Sequence, residues 1–240
     1  MEIILLTALV FVASAIGTIT GFGLSTIMIP VVLLFYPHTQ TLFFVGIIHL
    51  FGNIWKVVLF RRGFQWKLIL CFGIPGIAAS LLGAYLAFEV PKGLLLRILA
   101  GFMIIYVIYL FVKPSFKIKQ GTGSAVTGGA LSGFLAGIFG MGGAVRGLFL
   151  SAFDLPKSVY IATAGTIALF TDITRVTTYY VKGARLESKI LWGMLIFIPA
   201  SFLGAKVAKL FVEKIPQKHF RKVIAAFLFL VAFKLLLFPP

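Results

Sequence analysis

Long stretches of apolar residues, separated by short polar or proline-containing breaks, make up most of this chain. The stretches cover residues 3–36, 41–60, 67–88, 94–112, 125–153, 158–181, 188–208 and 220–238. A membrane-spanning helix needs roughly 20 consecutive apolar residues. The pattern therefore predicts an all-α, polytopic membrane protein whose helices are joined by short loops.

The composition supports a membrane protein and excludes several other classes. Of the 240 residues, 60% are hydrophobic and 12% are charged, whereas soluble domains are about 45–50% apolar and about 25% charged. The net charge of +16 lies mostly in short clusters between the apolar stretches, which indicates membrane topology rather than nucleic-acid binding. The only cysteine, Cys71, excludes an intramolecular disulfide and a CxxC metal site.

Two of the apolar stretches are interrupted by glycine-rich segments. The first carries GTITGFGLST at residues 17–26, and the fifth carries AGIFGMGGA at residues 136–144. Glycine costs a helix about 1 kcal/mol relative to alanine, and a helix break inside a membrane must be buried in protein or face water. We therefore predict glycine-broken helices or re-entrant hairpins here, and we interpret the two breaks as the centre of a transport site.

The two breaks belong to a duplicated unit. Residues 21–23 match residues 140–142, and LFGNIWK at 50–56 matches LFTDITR at 169–175 with the same separation. SLLGA at 80–84 then matches SFLGA at 201–205. We predict a first transmembrane repeat at residues 1–113, a linker at 114–124 and a second repeat at 125–240, each with four apolar segments. Secondary transporters are commonly built from such repeats, with their sites on broken helices.

This layout resembles the TauE/SafE sulfite-exporter family of membrane transporter permeases. The resemblance covers nearly the whole chain and is carried by residues 17–30, 50–56, 133–143 and 169–175. It implies a multi-pass transporter of small sulfur-containing anions, such as sulfite, thiosulfate or organosulfonates, in a prokaryotic inner membrane. It implies neither an enzyme nor a cofactor.

Loop charges discriminate between two ways of threading the chain. Leaving out Lys56, Arg146 and Arg175, which lie inside apolar stretches, 19 of the 22 basic residues remain. If all eight stretches cross the membrane, these divide almost equally between its two sides. If stretches one and five enter the membrane and turn back to the side they came from, the two repeats have inverted topologies. Thirteen basic residues then lie on one side of the membrane and six on the other. The positive-inside rule makes the side with thirteen cytoplasmic, and we predict this inverted arrangement with both termini outside.

The breaks supply two groups of candidate substrate-binding residues. A helix that restarts after a break offers free N–H groups and the positive end of its dipole, which suits an anion. Nearby hydroxyls can donate further hydrogen bonds. The first group is Thr18, Thr20, Gly21, Gly23, Ser25 and Thr26, and the second is Gly140, Gly142, Gly143 and Arg146. The alternative is that these glycines only allow close helix packing.

Polar residues inside the other stretches form a third group. Asn53 and Lys56 match Asp172 and Arg175, and each pair is three residues apart on one helix face. Because ionisable groups within membrane spans are usually functional, we predict that Asn53, Lys56 and Arg175 bind the anion. Asp172 and His49 are candidates for carrying a coupling proton. The alternatives are that Lys56 extends to the membrane surface and that Asp172 and Arg175 form a structural ion pair.

Other functions remain open from the sequence. The anion could instead be a carboxylate or a lipid-linked phosphate moved by a transporter or flippase. An intramembrane serine enzyme lacks support because no GxSxG segment occurs, and ATP-driven pumping lacks a Walker motif. A scaffold subunit has no need of Arg146, Asp172 and Arg175 inside spans, where each charge costs about 2.5–3.5 kcal/mol. The sequence predicts no metal site and leaves the direction of transport and homo-oligomer formation undecided.

Overall fold

The structure is a computed structural model that describes residues 2–21, 23–61, 63–112 and 118–212. Within these ranges the chain forms helices and no strand. The helices are α1 (Glu2–Thr20), α2 (Ser25–Val32), α3 (His38–Leu59), α4 (Trp66–Glu89), α5 (Lys92–Val112), α6 (Thr122–Phe139), α7 (Gly143–Leu150), α8 (Lys157–Val181) and α9 (Ser188–Phe211), with a short 3₁₀ helix at Ser151–Phe153. The predicted eighth stretch, residues 220–238, and residues 114–117 of the predicted linker lie outside the described residues.

Five of these helices, α1, α3, α4, α6 and α9, are long and apolar enough to cross a membrane. Large apolar side chains such as Ile74, Leu195 and Leu210 are exposed on their outer faces. Extended apolar surface of this kind is rare on soluble monomers and suits contact with lipid. The predicted all-α membrane class is therefore confirmed.

The first glycine break divides its apolar stretch into α1 and α2. Gly21 and Gly23 have φ values of +73° and +82°, a conformation that only glycine adopts without strain. The N–H of Gly23 donates to the carbonyl oxygen of Gly17 at 3.2 Å, which closes the turn. After α2, the hydroxyl of Tyr36 donates to the carboxylate of Glu2, so the chain has returned to the start of α1. We call α1, the turn and α2 hairpin 1.

The second break divides its stretch in the same manner into α6 and α7. Gly140 ends α6 in the left-handed conformation (φ +72°), and its N–H donates to the carbonyl oxygen of Ala136 at 3.0 Å. The chain then runs back along α6, since a Cβ atom on Gly142 would lie 2.0 Å from the carbonyl oxygen of Ser132, and one on Gly128 would lie 2.5 Å from Cβ of Phe149. We call α6, the turn and α7 hairpin 2.

Loop contacts define two ends of the helix bundle. At one end, which we call the Glu2 end, Lys189 donates to Glu2, and Lys182 donates to Glu89 at 2.6 Å. The hydrogen bond to Glu89 raises the pKa of Lys182. The opposite end, the Gln65 end, holds a cavity of about 370 Å³ lined by Gln65, Lys67, Leu68, Cys71, Gln120, Gly121, Thr122, Ala125, Phe153 and Leu155. Hairpin 1 thus begins and ends at the Glu2 end, and hairpin 2 begins and ends at the Gln65 end.

Each hairpin packs against a helix from the other half of the chain. On α6, Cβ atoms added to Gly129, Gly133 and Gly137 would lie 2.2–2.3 Å from carbonyl oxygens of Phe72, Gly76 and Ser80 on α4. On α9, a Cβ atom on Gly204 would lie 2.3 Å from the carbonyl oxygen of Phe11 on α1. Small residues let helix backbones approach this closely, which is a usual packing mode in membranes.

Helices α3 and α8 pack against each other between the two hairpins. Gly46 of α3 contacts Val176 of α8, and Gly165 of α8 contacts Lys56 of α3. The two helices are therefore antiparallel. Both carry polar residues on the faces that meet, so the fold brings the polar residues of both halves together in its centre.

Candidate functional site

The polar residues of α3 and α8 form one buried cluster around Asp172. Its Oδ1 atom accepts a hydrogen bond from Nε of Arg175 at 2.8 Å. Its Oδ2 atom lies 2.7 Å from Nδ2 of Asn53 and 2.7 Å from Nδ1 of His49, both on α3. All four side chains are buried. Asp172 therefore connects the two halves of the chain and compensates the charge of Arg175.

Lys56 belongs to the same cluster and remains inside the protein. Its side chain is 5% exposed, and Nζ donates to Oδ1 of Asn53 at 3.2 Å. The ammonium group therefore does not extend to the membrane surface, in contrast to the snorkelling alternative. Among the described residues, no carboxylate lies within ion-pair distance of Lys56.

Arg146 adds a second cation without an acidic partner. It lies in the first turn of α7, is 3% exposed and interacts electrostatically with Lys56, Asp172 and Arg175. No salt bridge joins it to a carboxylate of the described part of the chain. Buried cations are normally paired, so Lys56 and Arg146 leave positive charge in the centre that the described residues do not neutralise.

The tip of hairpin 1 lies directly against this cluster. A Cβ atom on Gly23 would lie 2.3 Å from Nε2 of His49, and one on Gly21 would lie 2.5 Å from Cε1 of Tyr160 on α8. The hydroxyl-bearing candidates around the turn are all buried, namely Thr18, Thr20, Ser25 and Thr26. Helix α2 therefore begins, with its free N–H groups, beside His49.

The tip of hairpin 2 approaches the cluster from the opposite direction. A Cβ atom on Gly140 would lie 3.2 Å from Nη1 of Arg175. One turn further along α8, the hydroxyl of Tyr179 donates to the carbonyl oxygen of Gly137. Gly143 is buried at the start of α7, and Arg146 in the first turn of that helix interacts electrostatically with Asp172 and Arg175, so the N-terminus of α7 lies near the cluster.

Several polar atoms here have no hydrogen-bond partner within the described residues. They are Nε2 of His49, Nε of Arg146, Nη2 of Arg175, Oγ of Ser25 and Oγ1 of Thr18. Buried polar groups usually have a partner, and an unpaired one costs about 1–3 kcal/mol. Of these atoms, Nε2 of His49 is an acceptor when the neutral imidazole donates its Nδ1–H to Asp172. The arginine N–H groups and the two hydroxyls are donors, and with the excess positive charge around them they suit a small, strongly hydrogen-bonding anion. No group of three or more potential metal-ligating side chains occurs in the described ranges.

Comparison with known families identifies the class of protein. A family profile described as sulfite exporter TauE/SafE matches residues 6–235. The chain belongs to the TauE/SafE family. No curated protein matches the chain. The resemblance predicted from the glycine breaks is thus confirmed, and membership of TauE/SafE makes the chain a membrane transporter with several spanning helices.

In this TauE/SafE protein, the predicted site residues differ in how closely they approach the centre. Gly23 and Gly140 contact His49 and Arg175 directly. By contrast, Gly142 packs on its own hairpin against Ser132 and Ala136, which is the packing role named above as the alternative. The ion pair of Asp172 with Arg175 is present as that alternative described it.

Two tyrosines near the site were not predicted from the sequence. Tyr160 lies against the tip of hairpin 1 and interacts electrostatically with Arg146. Tyr179 is fully buried and binds carbonyl oxygens of hairpin 2. The sequence offers only one indication of Tyr179, which follows Arg175 by four residues and therefore shares its helix face. No sequence feature indicates Tyr160, since its contact depends on how the two halves pack.

Proposed function

We propose that this TauE/SafE protein is a secondary transporter that moves a small sulfur-containing anion, such as sulfite, thiosulfate or an organosulfonate, across a prokaryotic inner membrane. The observation that carries the proposal is the pair of buried cations, Lys56 and Arg146, which have no acidic partner among the described residues. A bound anion supplies the missing negative charge.

The anion site lies where both hairpin tips meet the polar cluster. Lys56, Arg146 and Arg175 attract the anion, and Arg offers parallel N–H donors that match oxyanion geometry. The N-termini of α2 and α7 add partial positive charge. Hydroxyls of the hairpin 1 turn, those of Thr18 and Ser25 among them, donate hydrogen bonds to the oxygens of the anion.

The fold also supports the inverted-repeat arrangement as part of this proposal. The two hairpins start from opposite ends of the bundle, as the inverted threading requires. Lys182, Arg185 and Lys189 lie at the Glu2 end, whereas Arg61, Lys67, Lys119 and Lys157 lie at the Gln65 end. With the positive-inside rule, the Gln65 end is cytoplasmic. Transport then alternates access to the central site from the two ends by movement of the hairpins.

The coupling ion of this transporter is a proton in our proposal. His49 and Asp172 form a hydrogen bond at the centre, and Nε2 of His49 faces the tip of hairpin 1. A proton held by this pair would travel with the anion. Transport measured with and without a pH gradient tests this part of the proposal separately from the choice of anion.

Transport by the purified protein in proteoliposomes tests the proposed function. We expect uptake of at least one of sulfite, thiosulfate, sulfate and a simple sulfonate, and little uptake of acetate. Arg146→Gln removes one unpaired cation and should reduce uptake about tenfold or more, because a hydrogen bond to a charged donor is worth about 1.5–3 kcal/mol. Since Arg146 has no carboxylate partner here, its removal leaves no buried acid unpaired.

The matched control is Arg97→Gln, which removes an exposed arginine of α5 and should transport like the unmodified protein. If acetate or a lipid-linked phosphate is transported and none of the sulfur anions is, the substrate is a carboxylate or a lipid-linked phosphate instead. If Arg146→Gln and the control transport equally well, Arg146 is not part of the site.

A further inference from the structure

The buried formal charges of the site do not cancel. With histidines counted as neutral, the buried side chains of the described residues that carry a charge are Lys56, Arg146, Asp172 and Arg175. Counted in their ionised forms, which a bound anion favours, three positive charges and one negative charge leave an excess of two. Outside the cluster, the acids within the described ranges are Glu2, Glu89, Asp154 and Glu187, and all four are exposed at the two ends of the bundle. They therefore do not neutralise the centre.

The surroundings of the cluster offer no further negative charge within the described chain. The helices that pack around α3 and α8 are α1, α2, α4, α6, α7 and α9, and none of them contributes a buried carboxylate. The N-terminal ends of α2 and α7 add to the positive potential. An isolated buried charge is costly, so the occupied site is most stable when the ligand brings two negative charges.

We propose that the site selects its substrate by valence and takes a divalent oxyanion in preference to a monovalent one of similar shape. This inference rests on the proposed function and narrows it. Thiosulfate, the dianion of sulfite and sulfonates with a second acidic group fit the charge balance. A simple monosulfonate leaves one of the cations Lys56 and Arg146 without compensation.

Binding of matched anion pairs to the purified protein tests the inference without requiring transport. One pair is sulfate and methyl sulfate, and the other is methanedisulfonate and methanesulfonate. Titration calorimetry is carried out at equal ionic strength, because salt screens charge interactions. We expect the divalent member of each pair to bind about tenfold or more tightly, since opposite charges attract strongly in a poorly solvated site. If the monovalent members bind equally well or better, the inference is wrong.

Replacing one cation should shift the preference in a defined direction. In Lys56→Met the excess falls from two charges to one, so the ratio of divalent to monovalent affinity should fall about tenfold. Lys56→Arg keeps the charge and should keep the ratio. Lys206→Met removes an exposed lysine of α9 and serves as the control. An unchanged ratio in folded Lys56→Met would contradict a role of Lys56 in the charge balance.

The outcomes separate this inference from the proposed function. If no anion of either valence binds or is transported, the proposed function fails and the inference fails with it. If sulfur anions bind or are transported without a preference for valence, the proposed function stands and only the inference fails. If Lys56→Met does not fold, the ratio measured on the unmodified protein decides alone.

Discussion

At the scale of single residues, Gly23 and Gly183 form a matched pair for testing the tip of hairpin 1. Both have positive φ, +82° and +94°, but only Gly23 faces another residue, His49, whereas nothing lies within 4 Å of Gly183. Alanine at either position adopts a left-handed conformation that costs about 1–2 kcal/mol. In Gly23→Ala the new methyl group also displaces His49. We expect the transport rate of Gly23→Ala to be about tenfold to a hundredfold lower, because a displacement of about 1 Å in a site can reduce the rate by this much.

The same uptake assay on Gly183→Ala should give nearly normal transport. If transport falls by the same factor in both variants, backbone strain rather than the contact with His49 is responsible. Normal transport by folded Gly23→Ala would remove the tip of hairpin 1 from the site.

Much of the cluster could be predicted from the sequence because charge inside an apolar stretch is conspicuous. Asn53, Lys56, Asp172 and Arg175 stood out by their matching positions, and they meet in the structure. The hydrogen bonds between these side chains could not be predicted. Asp172 is hydrogen-bonded to His49, 123 residues away in sequence, and this contact depends on the packing of α3 against α8. Whether these residues bind the anion stays a prediction.

At the scale of helices, the α4–α6 contact depends on glycines without room for a side chain. A Cβ atom on Gly133 would lie 2.2 Å from the carbonyl oxygen of Gly76, whereas one on Gly123 in the same helix meets nothing within 4 Å. We expect Gly133→Leu to destabilise the protein at the upper end of about 1–3 kcal/mol, because a backbone atom cannot move aside cheaply. Thermal unfolding in detergent measures the effect, with Gly123→Leu as the control. Equal stability of the two variants would show that the contact is unimportant.

Helix pairing was the part of the fold least accessible from the sequence. The glycine spacing of α6 indicates a face of small residues, yet it does not identify the helix that covers this face. The structure pairs α6 with α4 and α1 with α9, so each hairpin packs against a helix of the opposite half. A division of the chain at its linker therefore does not separate it into two independent packing units.

At the scale of the whole molecule, the positions of the two ends relative to the membrane can be tested by labelling. In a Cys71→Ser background, Lys119→Cys reports on the Gln65 end and Lys189→Cys on the Glu2 end, and both side chains are exposed. If the Gln65 end is cytoplasmic, a membrane-impermeant maleimide added to intact spheroplasts should label only Lys189→Cys. In inverted vesicles it should label only Lys119→Cys. Labelling of both cysteines from the same side would contradict the inverted arrangement.

The pairing of α1 with α9 also sets the order in which the protein can be completed during synthesis. The hydroxyl of Ser14 donates to the carbonyl oxygen of Ser201, 187 residues later in the chain. At about 5–20 residues per second, a ribosome needs roughly 10 to 40 seconds to make the intervening segment. During this interval the side of α1 that contacts α9 at Phe11 and Ser14 lacks its final neighbour within the bilayer. Until α9 is inserted, that side of α1 must contact lipid, the insertion machinery or another helix of the chain.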